Sequence, residues 1–229
     1  MIHRALILAA GRGERMRPLT DHTPKPLLRV RGQRLIEWHL QALAAAGVRE
    51  VVVNTAWLEE QFEPALGDGS RWGVRLHWSR EGRDHGGALE TAGGIAKALP
   101  LLGEAFWVVS GDVFLPGFAF DPTQAQPVID GKHLAHLWMV PNAPHHPRGD
   151  FSLGDDGLLG TDTDSPRLTW ASVGLFHRAM FEDMPVGQRL ALRPLLESAI
   201  AQRRLGGSRW DGDWTDVGKP ERLASLQAG

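Results

Sequence analysis

The chain has 229 residues, a formal net charge of -2 and no cysteine. The lack of cysteine excludes a disulfide framework, a thiolate nucleophile and any site in which cysteine holds zinc or an iron–sulfur cluster. Charged residues make up 23% of the chain and both signs are almost equally represented, which argues against a protein that coats nucleic acid with a basic surface. At this length we expect one domain, spanning residues 1–229, with a substantial buried core.

The amino-terminal segment places a basic residue before a short apolar run, as a signal peptide does. That run leads directly into Gly11-Arg12-Gly13 without a small-residue cleavage site, so we expect a buried strand instead. Elsewhere, too, the chain lacks the roughly 20 consecutive apolar residues that a membrane helix needs. The sequence therefore predicts a cytoplasmic protein with neither nucleic acid nor a membrane as its partner.

Apolar runs typical of strands alternate with segments of helical spacing through the first half of the chain. The predicted strands cover residues 5–9, 51–53, 74–78 and 106–109, and the predicted helices cover 35–46, 57–66 and 91–99. Such alternation indicates an α/β fold, with a mostly parallel sheet flanked by helices.

The second half has a different character. Residues 114–167 are rich in proline, glycine and aspartate and contain one predicted strand, at 134–140. A strand at 170–176 and helices at 190–203 and 220–227 follow. Because no linker or repeat interrupts the chain, we expect the irregular stretch to be an insertion over one edge of the sheet.

The first predicted strand leads into a glycine loop with the sequence AAGRGERMRPLT over residues 9–20. Glycines directly after a strand allow backbone N–H groups to approach a phosphate closely. The loop is not a Walker A loop, because it does not end in Gly-Lys-Ser/Thr. It is not a dinucleotide fingerprint either, because Met16 occupies the position of the third glycine and Asn54-Thr55-Ala56, without an acidic residue, directly follows the second strand.

Lys25 lies between two prolines, which restrict its backbone and fix the direction of its side chain. A proline-rich surface turn with a solvated lysine would have the same local sequence. Together with Gly-x-Gly-x-Arg at 11–15, however, the segment PKPL at 24–27 resembles the signature of the sugar-phosphate nucleotidyltransferases. The resemblance implies a Rossmann-like, glycosyltransferase-A-like domain, with residues 1–112 as its nucleotide-binding half and residues 113–229 as its sugar-binding half.

The resemblance places the nucleotide site on the glycine loop, on Lys25 and on the segments before the third predicted helix. In the family these segments bind the phosphates and run past the base. The nucleotide-binding residues so implied are Ala10, Gly11, Gly13, Glu14, Arg15, Met16, Lys25, Glu81, Thr91, Ala92, Gly93 and Asp112, and catalysis is assigned to Arg15, Lys25 and Asp112. Thr91 could also cap the helix, which is compatible with nucleotide contact.

Two aspartates are candidate metal ligands. Asp112 follows a predicted buried strand, where open α/β sheets bind their ligands, and Asp216 lies in WTDVG at 214–218. Either aspartate alone could equally belong to a turn or a helix cap. The resemblance makes them a pair that holds Mg²⁺, which prefers one or two carboxylates together with phosphate oxygens and water.

The stretch HHPRGDF at 145–151 resembles the family segment beside the sugar ring. Many relatives carry a lysine further on that binds the sugar phosphate, but this chain has TDSPR at 163–167 and no lysine nearby. We therefore expect a different cation to meet the sugar phosphate. Arg148 is the first candidate and Arg167 the second, with Gly149 and Asp150 also assigned to this side of the site.

Within the family, the pattern from residue 3 to about 225 is most similar to the uridylyltransferases that act on N-acetylmuramate 1-phosphate in cell-wall sugar recycling. The resemblance implies Mg²⁺ as cofactor and two small-molecule substrates, an NTP and a sugar 1-phosphate, whose reaction releases pyrophosphate. Glucose 1-phosphate with dTTP, and mannose 1-phosphate with GTP, are alternatives. A non-catalytic nucleotide-sugar sensor is an alternative of another class, and the sequence does not indicate an oligomeric state.

Overall fold

The computed structural model describes residues 2–228. Its strands are β1 (Arg4–Leu8), β2 (Arg29–Val30), β3 (Gln33–Arg34), β4 (Glu50–Thr55), β5 (Arg75–Arg80), β6 (Ala105–Ser110), β7 (Val113–Phe114), β8 (Ala135–Val140), β9 (Phe151–Leu153), β10 (Leu159–Gly160), β11 (Arg167–His177), β12 (Leu205–Arg209) and β13 (Thr215–Asp216). Its α-helices are α1 (Leu35–Ala45), α2 (Phe62–Leu66), α3 (Glu81–His85), α4 (Glu90–Ala98), α5 (Gln126–Ile129), α6 (Arg193–Ala201) and α7 (Pro220–Ser225).

A mixed sheet in the order β5-β4-β1-β6-β11-β8-β12 forms the centre of the fold. β1 pairs in parallel with β4 and β6, and β5 extends the parallel half beyond β4. β11 reverses the direction, because it pairs antiparallel with both β6 and β8. The predicted α/β fold, with a mostly parallel, mixed central sheet, is confirmed.

Helices cover both faces of this sheet, which explains why its central strands are continuously apolar. Leu6 and Ile7 are both fully buried. Since successive strand residues point to opposite faces, they belong to two separate cores. Ile7 packs in the core that contains Leu40 of α1, and Leu6 packs in the core that contains Ile95 of α4.

The parallel strands β1, β4 and β6 end at the same edge of the sheet, so the loops that follow them lie side by side. Two of these loops are joined directly, because the N–H of Gly111 donates to the carbonyl of Leu8 at 2.8 Å. Beyond this edge, β13 pairs antiparallel with β7 and places Asp216 opposite Val113. Residues far apart in the chain therefore converge at this edge.

The second half departs from the predicted insertion in its extent. β8 lies inside the sheet, between β11 and β12, so it divides the irregular stretch into residues 115–134, which contain α5, and residues 141–166. The 141–166 segment contains the hairpin β9–β10, which pairs with the start of β11. The strand β12 was not predicted because glycines interrupt its apolar pattern. A Cβ on Gly206 would lie 2.8 Å from Nδ1 of His136, so close packing requires the glycine.

Two predicted helices are shorter in the structure by five residues each. Only residues 62–66 of the segment 57–66 form an α-helix, after a 3-10 turn at 59–61 and a left-handed Leu58 with φ 48°. The helix predicted from residue 190 begins at Arg193. Among residues 2–228, no helix is both long enough and apolar enough to cross a bilayer.

Candidate active site

A cavity of about 620 Å³ opens at the edge where β1, β4 and β6 end. Its lining comes from the loops after these strands, from the start of α4 and from the segment that follows β13. The lining residues are Leu8, Ala9, Ala10, Gly11, Gly13, Glu14, Arg15, Met16, Lys25, Pro26, Asn54, Glu81, Ala88, Glu90, Thr91, Ser110, Asp112 and Gly218. Ten of the twelve predicted nucleotide-binding residues are therefore brought together around one space, all except Ala92 and Gly93.

The glycine loop is held in a fixed shape at Gly13. This residue has φ +67°, a left-handed conformation that L side chains rarely adopt, and a Cβ there would lie 3.1 Å from Cγ2 of Thr20. The Thr20 hydroxyl donates to the Gly13 carbonyl at 2.8 Å, and the N–H of Met16 donates to the same carbonyl at 2.9 Å. The loop thus closes back on residues of its own segment.

Arg12 fixes the outer side of the same loop. Its guanidinium donates to the carbonyl of Thr20 at 2.8 Å and to Asp21 Oδ1 at 2.7 Å, and lies 3.7 Å above the ring of Trp57. Arg15, by contrast, is exposed and forms no ion pair within the described part of the chain, although it lines the cavity. Of these two loop arginines, Arg12 is engaged in structure and Arg15 is available to an anion.

Lys25 and Asp112 form an ion pair on the cavity wall, with Nζ 2.6 Å from Oδ2. The lysine side chain is only 9% exposed and the aspartate 33% exposed. The Ser110 hydroxyl donates to the other carboxylate oxygen, Oδ1, at 2.7 Å. Burial raises the pKa of Asp112, but the Lys25 ammonium and the Ser110 hydroxyl outweigh it, so the pKa lies below its ordinary value of 3.8.

Asp216 lies near Asp112 because the next residue, Val217, is hydrogen-bonded to the backbone of Asp112. The N–H of Val217 donates to the carbonyl of Asp112 at 3.1 Å, as part of the β7–β13 ribbon. The carboxylate of Asp216 is 28% exposed and accepts from Nη1 of Arg222 at 2.8 Å. The topology therefore brings together the two predicted metal ligands, 104 residues apart in sequence.

The donor set fits a hard divalent cation that completes its coordination with other ligands. Two carboxylates on adjoining backbone, each partly exposed, are what Mg²⁺ uses when phosphate oxygens and water supply the rest. Among residues 2–228, no group of three or more His, Cys, Asp and Glu side chains could hold a metal by itself. Asp112 and Asp216 thus suit a metal that is shared with a bound phosphate.

Glu81 is fully buried behind the cavity, and its two oxygens already have partners. Oε1 accepts from Nδ2 of Asn54 at 2.7 Å and Oε2 accepts from the N–H of Leu89 at 2.8 Å. Oδ1 of Asn54 in turn accepts from the N–H of Ala9 at 2.7 Å. Burial raises the pKa of Glu81, although these two hydrogen bonds counteract it in part. Glu81 and Asn54 therefore join the end of β1 to the start of α4.

The helix α4 begins at Glu90, so Thr91 lies in its first turn rather than at its cap, and it lines the cavity. Ala92 and Gly93 are turned away from this space. Their N–H groups both donate to the carbonyl of Leu190, at 2.9 and 3.2 Å. A Cβ on Gly93 would lie 2.2 Å from the carbonyl oxygen of Gln188. The structure thus places these two predicted nucleotide contacts against the segment before α6 and outside the cavity lining.

A second cavity, of about 380 Å³, adjoins the first and shares Glu90 and Thr91 with it. Its remaining lining is largely apolar and aromatic, with one acid and one arginine at its rim. These residues are Asp150, Phe151, Trp170, Ala191, Leu192, Arg193 and Leu196. The guanidinium of Arg193 lies 4.5 Å above the ring of Phe151 and donates to Glu197 at 2.7 Å.

The predicted sugar-phosphate residues do not form one group. Asp150 lines the second cavity, and its Oδ2 accepts from the N–H of Trp170 at 2.8 Å. Arg148 is exposed and lines neither cavity. Arg167 is turned onto the backbone carbonyl of Asp150, so its guanidinium has a structural partner. Gly149 has φ +59° and a Cβ there would lie 2.7 Å from Oδ1 of Asn142, so this glycine shapes the turn.

Sequence reasoning missed Asn54, Arg12 and Arg193. Asn54 ends a predicted strand and failed the dinucleotide test because it is not acidic, yet its amide holds both Ala9 and Glu81. Arg12 lies between the two glycines, at a position that the pattern Gly-x-Gly-x-Arg does not specify, and the nearby Asp21 was the only local signal of its pairing. Arg193 lies in a predicted helix with an ordinary amphipathic pattern, and no signal in the sequence placed it at a cavity.

Comparison with known proteins agrees with this geometry. The model of the nucleotidyl transferase family matches residues 4–146. A protein from Neisseria meningitidis serogroup B named N-acetylmuramate alpha-1-phosphate uridylyltransferase is 48% identical over 231 residues, covering 98% of this chain and 97% of the relative. A protein of the same name from Caulobacter vibrioides is 33% identical over 98% of this chain and 95% of its own length.

A solved structure from Bacillus anthracis, assigned as a glucose-1-phosphate thymidylyltransferase and bound to sucrose, has a TM-score of 0.81. It covers 98% of this chain and 94% of the solved one, and at 18% identity the likeness concerns the fold alone. The family resemblance inferred from the glycine loop and Lys25 is confirmed by the family match and the two full-length relatives. The chain belongs to the nucleotidyl transferase family, among the sugar-phosphate nucleotidyltransferases.

Proposed function

We propose that the protein transfers a uridylyl group from UTP to N-acetylmuramate 1-phosphate, giving the UDP-sugar and pyrophosphate. The observation that carries the proposal is the Lys25–Asp112 pair, 2.6 Å apart on the wall of a cavity lined by the glycine loop. The choice of substrates is supported by the 48% identity to the uridylyltransferase from Neisseria meningitidis over almost the whole of both chains.

We assign the first cavity to the nucleotide. Backbone N–H groups of the loop after β1 would bind phosphate oxygens, because glycines there allow close approach. The exposed guanidinium of Arg15 and the ammonium of Lys25 would stabilise the negative charge of the pyrophosphate as it leaves. Apart from Gly218, the lining comes from residues 8–112, which supports residues 1–112 as the nucleotide-binding half.

We assign the second cavity to the sugar, since it adjoins the first through Glu90 and Thr91. The half-buried ring of Trp170 offers an apolar surface for the sugar ring and its substituents, and Asp150 can accept from a hydroxyl. Residues from 150 to 196 supply the rest of the lining, which supports residues 113–229 as the sugar-binding half. Arg193 replaces Arg148 and Arg167 as the cation at this cavity.

The reaction we propose needs no general base, because the attacking phosphate is already an anion at neutral pH. An oxygen of the sugar phosphate forms a bond to the α-phosphorus of UTP, and the bond from that phosphorus to the β-phosphate oxygen breaks. The protein then acts by orienting the two anions and by balancing their charge. Asp112 and Asp216 would hold Mg²⁺, which supplies positive charge beside the phosphate oxygens when bound.

A substrate panel tests this function. UTP, dTTP and GTP are each combined with the 1-phosphates of N-acetylmuramate, N-acetylglucosamine, glucose and mannose, and pyrophosphate release is measured with Mg²⁺ present. We expect the highest kcat/KM for UTP with N-acetylmuramate 1-phosphate. A higher value for glucose 1-phosphate with dTTP, or for mannose 1-phosphate with GTP, would assign the enzyme to that reaction. Nucleotide-sugar binding without turnover in any combination would instead indicate a sensor.

A further inference from the structure

The carboxylate of Asp216 is already paired with a cation that belongs to the protein. Nη1 of Arg222, in α7, donates to Oδ2 of Asp216 at 2.8 Å and to the carbonyl oxygen of the same residue at 2.7 Å. The same Nη1 lies 2.9 Å from Nε2 of His145, which is itself 3.7 Å from Oδ2. Arg222 therefore already uses Oδ2, one of the two carboxylate oxygens that a metal could bind, and places a positive charge beside it.

The surrounding chain is arranged to allow this contact. A Cβ on Gly218 would lie 3.0 Å from Oδ1 of Asp216 and 3.2 Å from Nη2 of Arg222, so a larger residue would disturb both groups. The Arg222 side chain is 19% exposed, which gives its ion pair more strength than a pair at the open surface. Only five residues separate Asp216 from Arg222, and α7 begins between them, so the guanidinium is tethered close to its acid.

The other proposed metal ligand has the same kind of partner. Oδ2 of Asp112 is held by the ammonium of Lys25 at 2.6 Å. Each of the two carboxylates thus has one internal cation, and together these cations carry the same charge as one divalent metal. Two neighbouring carboxylates repel each other unless their charge is balanced, so this pairing stabilises the metal-free protein.

We propose that Arg222 is an internal competitor of the divalent metal at Asp216. The inference rests on the proposed function, in that it takes Asp216 as a metal ligand. A metal that binds Oδ2 is repelled by the positive charge of Arg222, and displacing the guanidinium from this oxygen lowers the affinity of the free protein for metal. Arg222 is a positioning residue in this role, since it acts through Asp216.

The competition has a consequence for the order of binding. A bound triphosphate carries negative charge that attracts the metal and also Lys25 and Arg222. This attraction offsets the cost of breaking the Lys25–Asp112 and Arg222–Asp216 ion pairs. Metal and nucleotide should therefore raise each other's affinity, and by linkage the two effects are equal. The metal would be retained with the nucleotide and held weakly without it.

Mn²⁺ binding to the nucleotide-free protein tests the proposal, with free Mn²⁺ measured by electron paramagnetic resonance. We expect Arg222→Gln to bind Mn²⁺ about 2- to 5-fold more tightly than wild type, as the loss of one partly exposed ion pair implies. Arg203→Gln is the matched control, because it removes the same charge from an exposed pair with Asp156 and should leave Mn²⁺ affinity unchanged. An Arg222→Gln variant that keeps its fold but binds Mn²⁺ with equal or lower affinity would overturn the proposal.

Asp216→Asn separates this inference from the function on which it rests. If this variant binds Mn²⁺ as wild type does, then the metal assignment itself is wrong. If it loses affinity while Arg222→Gln gains none, only the competition is wrong. Should Arg222→Gln fail to fold, a crystal structure of wild type soaked with Mn²⁺ decides: loss of the contact from Arg222 to Asp216 Oδ2 supports the proposal, and its survival beside the bound ion contradicts it.

Discussion

Burial and charge act against each other at Lys25. Removing an ammonium from water costs free energy unless a partner compensates, and the Asp112 carboxylate at 2.6 Å provides that compensation. Pro24 and Pro26 restrict the backbone on either side, so the side chain enters the cavity wall with little freedom. The same ion pair keeps the Asp112 carboxylate ionised, and an ionised carboxylate is the form that binds a metal ion.

Replacing Lys25 with methionine removes the charge but keeps most of the side-chain volume. We expect kcat to fall by about 10²- to 10³-fold, the usual effect of losing one group that stabilises developing negative charge. Pyrophosphate release measures the effect. Lys132→Met is the control, because its exposed ammonium is 3.8 Å from Asp130, and it should remain fully active. A Lys25→Met variant within threefold of wild type would exclude a catalytic role.

Glu81→Gln isolates the effect of a buried carboxyl on stability. Burial raises the pKa of Glu81 above its ordinary 4.5, so the folded protein binds this proton more tightly than the unfolded chain does. The contribution of Glu81 to the free energy of unfolding is therefore fully present below 4.5 and is lost as pH rises through the raised pKa. Glutamine does not titrate, so wild type should lose stability relative to the variant over this range.

Urea unfolding of wild type and Glu81→Gln at a series of pH values from about 4 to 8 measures that difference. Glu63→Gln is a suitable control, because the Glu63 side chain is 60% exposed and pairs with Arg80 near the surface. If the difference in free energy of unfolding between wild type and Glu81→Gln stayed constant with pH, Glu81 would have the same pKa in the folded and unfolded states.

The helix α4 contains two glycines, Gly93 and Gly94, although glycine usually weakens a helix. A Cβ on Gly94 would lie 2.6 Å from Oε1 of Glu81 and 2.7 Å from Nδ2 of Asn54. The helix can therefore pack against this buried polar pair only where a side chain is missing. Gly93 has the same role toward the segment before α6, where Gln188 approaches its Cα.

Gly94→Ala should destabilise the protein, although alanine in a helix interior is usually more stable than glycine by about 1 kcal/mol. We expect the free energy of unfolding to fall by roughly 1–3 kcal/mol, because the new methyl group displaces two buried, hydrogen-bonded side chains. The KM for nucleotide should rise as well, since Asn54 holds Ala9 at the cavity.

Gly103→Ala gives the matched comparison for this helix variant, in chemical unfolding and in steady-state kinetics. The nearest atom to a Cβ on Gly103, outside its chain neighbours, is 3.6 Å away, an ordinary contact, so we expect almost no change in either measurement. If Gly94→Ala proved as stable and as active as Gly103→Ala, the pair formed by Glu81 and Asn54 would not depend on the glycine.

At the scale of the whole molecule, the sequence predicted the parallel half of the fold well. β1, β4 and β6 each contain an apolar run and β5 alternates apolar and polar residues, so the local pattern alone indicated all four strands. The strand β12 was missed because Gly206 and Gly207 carry no side chains to form a pattern, and their space is filled by His136 and Leu159. A local sequence pattern shows the type of each residue, but it does not show which distant side chains pack against a glycine.

The site residues also differ in whether a local sequence pattern indicates them. Lys25 and Asp112 were predicted, because each follows a recognisable strand or glycine loop and the family resemblance links them. The position of Arg193 at the second cavity, and that of Arg148 outside its lining, depend on how α6 and the 141–166 segment lie against β11, which no local sequence pattern describes. Ala92 and Gly93 matched the motif, but their backbone groups were already used by Leu190.

Since the nucleotide cavity is built from several strand ends, ligand binding should stabilise the entire domain. With UTP and Mn²⁺ at about 100 times Kd, the gain is about 2.7 kcal/mol, which for a domain of this size shifts Tm upward by roughly 5–10 °C. Differential scanning fluorimetry measures the shift. Asp112→Asn should show a smaller one at the same ligand concentrations, and equal shifts in both proteins would remove Asp112 from the binding site.

The wall shared by the two cavities, formed by Glu90 and Thr91, has a kinetic consequence. A UDP-sugar is long enough to span both spaces, so it would occupy the places of both substrates at once. Such a product should inhibit competitively against each of them, whereas pyrophosphate should compete with the nucleotide alone. The enzyme would then slow as its own product accumulates, without any separate regulatory site.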